Sequence, residues 1–276
     1  MKNILKLSIF LILIFLFTSC NARNTISKDE KILKKYSKKI NNMDDKRLIN
    51  IMSLFINTPY LASTLEINNN EKLVINLRQL DCLTFVENAC ALYRCNKENN
   101  FSLENFSKNI KNIRYREGII NGYLSRLHYS SDWILNNIKK GYIRNITPDI
   151  SDTAFYPNVY FMSQNPQYYK ALKTEKDIEE IKNIEKRINK HNLHYIPKKE
   201  IHKYENRIKD GDIIFICTNI KGLDITHVGF AIHKNGKLHL LHASSVHKKV
   251  IISNKTLKDY LMDIKKDTGI IVCRLL

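Results

Sequence analysis

The feature that most restricts this chain's fold is Asn235-Gly236, set between two runs, His227–His233 and Lys237–His242. Asn-Gly readily supplies the two positive φ angles of a type I′ turn, whose twist matches that of paired strands. The segment therefore predicts an antiparallel hairpin. Side chains alternate along a strand, so His242 shares a face with Leu240, whereas His239 and Leu241 share the other. His227 opens one strand and His242 closes its partner, which brings these two imidazoles to the same end of a sheet. His233 and His247 fall near turns and are expected at the surface. Ile213–Cys217 after the Asp210-Gly211 turn, Val250–Ser253 and Gly269–Cys273 read as further strands, with a helix at about 255–262 between the last two.

Before residue 210 the periodicity is helical. Patterns at about 29–41, 44–57, 82–95, 102–111, 131–140 and 174–191 read as helices. Leu48, Ile51, Met52 and Phe55 form one apolar stripe, Val86, Ala89, Cys90 and Tyr93 another, and Ile178, Ile181, Ile184 and Ile188 a third. Helices first and a mostly antiparallel sheet last make an α+β class. No internal repeat and no second domain marked by composition are visible.

Cys82 follows Asp81, a good helix N-cap, and so enters the first turn of the 82–95 helix. Unpaired N–H groups and the positive end of the helix dipole there stabilise a thiolate, which predicts a lowered pKa. A thiolate nucleophile needs a base within hydrogen-bond reach, and that base needs a group to orient it. The hairpin supplies both, His227 as base and His242 as orienter; His239 faces away. Cys90, Cys95, Cys217 and Cys273 read as buried structural residues. A zinc site built on the same histidines would want a compact signature such as H-E-x-x-H or paired C-x-x-C, and neither occurs. No metal and no other cofactor is expected.

The N-terminal stretch reads as a targeting segment. Lys2 and Lys6 precede an apolar run, Leu7–Phe17, that is shorter than the roughly 20 residues of a membrane-spanning helix. Residues 1–19 are read as a signal peptide and Cys20, after Thr18 and Ser19, as a lipid-modified new N-terminus. Residues 20–28 then form a tether, and 29–276 a single domain with a helical elaboration at its start. Several acyl chains at Cys20 would hold the protein at a membrane, at about 0.8 kcal/mol per buried methylene. The five cysteines besides Cys20 are an odd, irregularly spaced set, a poor disulfide framework for an exported chain. A net charge of +18 suits anionic partners, but export argues against nucleic acid, and Lys, Asn and Ile are abundant throughout.

The segments L-D-C-L-T-F-V-E (80–87), T-H-V-G-F-A (226–231) and L-L-H-A-S-S (240–245) resemble the papain-like cell-wall hydrolases of the NlpC type. The resemblance implies that fold, with Cys82 as nucleophile, His227 as base and His242 as orienting residue. It matches Tyr60, in T-P-Y, to a tyrosine that helps to bind substrate or oxyanion. R-L-H-Y-S-S-D-W (126–133), F-Y-P-N-V-Y-F-M-S (155–163) and G-L-D-I-T-H (222–227) are closer to one branch, the N-acetylmuramoyl-L-alanine amidase-like family. Leu83-Thr84 replace the wider superfamily's usual Ser-Gly after the cysteine. What the branch implies is hydrolysis of the amide between N-acetylmuramic acid and L-alanine, with a preference for small muropeptides ending in 1,6-anhydro-muramic acid. Trp133, the only tryptophan, is read either as a sugar-stacking residue or as core. Arg126 and Asp132 are read as binding a carboxylate or amine of the stem peptide, or else as pairing with each other or capping a helix. The alternatives are a γ-D-glutamyl–diamino-acid endopeptidase on the same scaffold, a non-catalytic peptidoglycan-binding lipoprotein and a zinc amidase. A monomer is expected, at the periplasmic face of the outer membrane.

Overall fold

The computed structural model describes residues 28–45 and 47–276. Cys20, the signal segment and all of the tether but Lys28 lie outside them. Helices α1 (28–41) and α2 (Leu48–Ser53) lead into a stretch of turns that reaches Asp81. Then come α3 (Cys82–Lys97), α4 (Leu103–Arg114) and α5 (Ser130–Lys139). The middle of the chain holds β1 (Ile143–Asn145), β2 (Ala154–Phe155), α6 (Phe161–Gln164), α7 (Glu175–Ile188), β3 (Leu193–His194), β4 (Ile196–Pro197) and α8 (Ile201–Tyr204). The last part supplies β5 (Ile213–Thr218), β6 (Ile225–Lys234), β7 (Lys237–Ser244), β8 (Lys249–Ile252), α9 (Leu257–Asp263) and β9 (Asp267–Leu275).

The arrangement is α+β, helices packed on a C-terminal antiparallel sheet. Strands run in the order β1-β9-β5-β6-β7-β8, with β4 also pairing β9. The Asn235-Gly236 turn has the expected paired positive φ angles, 52° and 74°. The helix read over 44–57 is shorter than its apolar stripe, because Asn57 takes a φ of 70° and Pro59 follows. That segment does other work. Asn57 N–H bonds Val250 O (2.9 Å), Val250 N–H bonds Thr58 O (2.8 Å) and Tyr60 N–H bonds Lys248 O (2.8 Å), which covers the outer edge of β8. β1 to β4 were not foreseen; each is two or three residues long and carries no periodicity.

One sheet face packs on α1 to α5 through Phe215, Val228, Phe230, Leu241 and Ile271. Tyr36, Phe55, Phe85 and Phe230 form a run of ring contacts with centroids 5.1, 5.7 and 5.4 Å apart. Phe85 thus fixes α3 against β6, and removing such a ring costs about 3–5 kcal/mol. The other face carries Ile214, Ile216, Ala231 and Leu240 against Leu257 and Leu261 of α9. A separate cluster joins α6 and α7 to the 124–129 loop, where Tyr129 donates to Glu185 (2.7 Å) and accepts from Met162 N–H (2.8 Å).

Candidate active site

Cys82 is the first residue of α3. The Asp81 carboxylate accepts the Thr84 N–H (2.8 Å), Thr84 Oγ1 accepts the Asp81 N–H (2.9 Å), and the Phe85 N–H bonds the Asp81 carbonyl (2.9 Å). This capping box leaves two first-turn donors, the N–H groups of Cys82 and Leu83, and both favour a thiolate at Cys82.

A third donor comes from the sheet. Ala231 gives its N–H to Asp212 and accepts from Gly211 (2.8 and 2.9 Å). Alternate residues 227, 229 and 231 therefore turn their backbone groups toward β5, and 228 and 230 toward β7. The β6–β7 ladder runs only as far as Phe230↔Leu241. Beyond it β7 pairs with β8, through His242↔Ile251 and Ala243↔Val250. The Val228 N–H, which a longer ladder would have occupied, instead lies near the Cys82 sulfur and favours its thiolate. The sulfur thus lies near β6 where its pairing with β7 has ended, and Val228 follows His227 along that strand.

His227 and His242 meet on the sheet face that carries α9. His227 Nε2 lies 2.7 Å from His242 Nδ1, with the rings edge-on at 87°. Gly229 makes room for them: a Cβ there would sit 2.7 Å from Leu241 O and 3.0 Å from His242 Cβ. Burial pushes the Cys82 thiol up to about 12, the Asp81 carboxylate adding to it against the three N–H groups. Burial, then the neighbouring imidazole, holds His227 down at about 3, and burial with His247 nearby holds His242 at about 4. Burial thus favours the neutral form of the thiol and of both imidazoles. This departs from the lowered thiol pKa expected at a helix start, because desolvation outweighs the helix end.

Tyr60 lies by the site, its phenol raised by burial and by the nearby Cys82 and Asp81. The other candidate contacts part company. Trp133 is 1% exposed and packs on Phe215, so it is core and has no face for a sugar. Asp132 is held by both Nη atoms of Arg116 (2.8–2.9 Å), not by Arg126, and a stem-peptide amine would have to displace that pair. Arg126 bonds Glu66 (2.7 Å), contacts Glu71 (3.4 Å) and lies over the Tyr123 ring. It lines a cavity of about 450 Å³ that reaches Asp81 and Leu83 on either side of the cysteine. Asp224 accepts the Ser131 N–H (2.6 Å) and the Ile225 N–H (2.8 Å), tying α5 to the strand that bears His227.

His239 faces away, bonded to Ser253 O (2.9 Å), and His233 is held by Asp210 (2.7 Å) and only partly exposed. The sequence reading missed Tyr260 of α9, whose ring lies over His227 and edge-on to His242 at centroid distances of 6.4 and 5.5 Å. Its signal was present, a tyrosine one residue before the buried Leu261. All five described cysteines are free. Among the described residues no group of three or more His, Cys, Asp or Glu side chains is arranged to hold a metal.

Comparison with known proteins shows the family. The family model for N-acetylmuramoyl-L-alanine amidase-like proteins matches residues 50–270. The crystal structure of an N-acetylmuramoyl-L-alanine amidase from Bacteroides uniformis is 40% identical with a TM-score of 0.80, covering 83% of this chain and 98% of that one. A Bacteroides fragilis protein provisionally named a xylanase is also 40% identical, with a TM-score of 0.77 over 80% of this chain and 97% of its own. A Legionella pneumophila protein shares the fold at 24% identity, with a TM-score of 0.72 over 92% of this chain and 96% of its own. No curated protein sequence matches. The chain belongs to the N-acetylmuramoyl-L-alanine amidase-like family.

Proposed function

We propose that this protein is a cysteine amidase that cuts the bond between the lactyl carbonyl of N-acetylmuramic acid and the amine of L-alanine in peptidoglycan fragments. One observation carries the reading: Cys82 begins a helix near the Val228 N–H, one residue along the strand from an imidazole whose Nε2 is held by a second imidazole at 2.7 Å.

The hydrogen bond between the rings constrains the chemistry. For His227 to act as base, its Nε2–H must donate to His242 Nδ1, leaving the His227 Nδ1 lone pair for the thiol proton. The sulfur then adds to the lactyl carbonyl. The oxyanion forms beside the N–H groups of the α3 start and the Tyr60 hydroxyl. As the C–N bond breaks, the proton on His227 passes to the departing amine. Water, deprotonated by His227, hydrolyses the thioester and restores the thiol. A resting neutral pair means that the proton moves during attack, not before it.

Small soluble muropeptides, including anhydro-muramoyl forms, are the substrates this reading favours. Lipid attachment at Cys20 would hold the enzyme, as a monomer, at the periplasmic face of the outer membrane. The test is mass spectrometry of an anhydro-muropeptide digest beside a Cys82→Ala control. Free stem peptide plus anhydro-disaccharide, absent from the control, is expected. A released diamino-acid dipeptide would make the protein an endopeptidase, and activity surviving Cys82→Ala would remove the thiol mechanism.

A further inference from the structure

Two cavities flank the reacting centre, and they differ in kind. The one that reaches Asp81 and Leu83 on the α3 side carries Tyr123, Tyr168 and Tyr169. The other, about 370 Å³, is lined by His227 and His242 themselves and continues past Tyr260, Ile251, His247 and Lys255. In acyl transfer the leaving amine departs on the side of the group that protonates it. That group is His227, so the half of the substrate beyond the amine must run into the second cavity.

The donors of that cavity suit a peptide with carboxylates. Lys255 bonds Asp263 of α9, but an ammonium has three N–H donors, and this pair is half exposed. His247 has its Nδ1 facing the Ser244 hydroxyl (3.1 Å), and that oxygen also accepts the His247 N–H (3.1 Å). The Ser244 contact is made through Nδ1, so the other ring nitrogen, Nε2, has no partner among the described residues. Between these donors and the catalytic pair stand Ile251 and the Tyr260 ring, with Val246, 82% exposed, at the rim. This is an apolar floor with a few convergent polar groups, as small-ligand sites have.

We propose that the cavity beside the histidine pair is the subsite for the peptide half of the substrate. The first residue's side chain lies against Ile251 and Tyr260, and the next free carboxylate is taken by Lys255 and His247 Nε2. Specificity for an acidic second residue then resides in the loop that joins β7 to β8 and in the turn before α9. The inference rests on the amidase reading for its direction, and its test does not need turnover.

Titrate the protein with free L-Ala-γ-D-Glu-diaminopimelate by calorimetry, and with the analogue whose glutamate carboxylate is an amide. The acid peptide is expected to bind several-fold tighter than the amide. Lys255→Ala should weaken the acid peptide about tenfold and erase the difference, since a hydrogen bond to a charged group is worth about that much. Anhydro-muramic acid, which carries no peptide, should bind Lys255→Ala as it does the parent. The proposal is overturned if the parent binds no peptide, if Lys255→Ala leaves the preference intact, or if Tyr168→Ala on the opposite side weakens the peptide instead. Failure of the amidase reading would appear separately, as no peptide released from intact muropeptides.

Discussion

The two ends of the β6–β7 hairpin are built from the same strands and do opposite things. Near the Asn235-Gly236 turn the ladder is complete from Phe230↔Leu241 to Lys234↔Lys237, and its histidines have fixed partners, His233 on Asp210 and His239 on a backbone carbonyl. At the other end the strands part. There the two histidines hold each other, and a freed N–H lies near the sulfur of a helix that packs on the opposite face of the sheet. The lesson is that the candidate residues collect where regular pairing stops, because there the backbone has donors to spare.

Changing each end separately tests that contrast. The largest effect is expected from Cys82→Ala, which should reduce turnover by roughly a thousandfold or more with the thermal midpoint nearly unchanged. A melting curve beside the assay separates lost chemistry from lost fold. Tyr60→Phe comes next, at about a hundredfold in kcat if its hydroxyl serves the oxyanion; a change in KM alone would make it a binding residue. Gly229→Ala should close the opening or displace His242, lowering kcat by about 10- to 100-fold. A full-rate alanine variant would show that the opening tolerates a methyl group.

A pH experiment reads the same contrast more gently. Because burial raises the thiol and lowers both imidazoles, alkylation of Cys82 by iodoacetamide in the free protein should climb through the alkaline range. A preformed thiolate–imidazolium pair would instead give a plateau across about pH 5 to 8. The smallest effect belongs to the closed end. His233→Asn should leave turnover unchanged and cost at most about 1 kcal/mol of stability, the usual worth of a partly exposed pair.

The sequence reading anticipated most of the helices and the five later strands because their signals are local: an apolar stripe, an Asp81 cap, an Asn-Gly turn. The meeting of His227 and His242 was legible for the same reason, since hairpin alternation alone brings the two imidazoles together. Trp133, Arg126 and Asp132 were not legible, because they lie in one recognisable segment and face three different environments. Which one is core, which is paired with Arg116 and which borders a cavity depends on residues far away in the chain. β1 and β4 were hidden likewise: each is defined by pairing with β9, more than 70 residues downstream. The depressed thiol pKa failed on magnitude, since a helix end visible in sequence competes with a burial that is not.

The stretch from Asn57 to Tyr60 has a consequence for anyone trimming this molecule. The same four residues that include Tyr60 also sheathe the flank of β8. A shortened chain beginning at the cysteine helix would bare a row of unsatisfied amides and carbonyls, a ready template for a second copy. Such a fragment should run as oligomers or precipitate before its loss of activity could be measured.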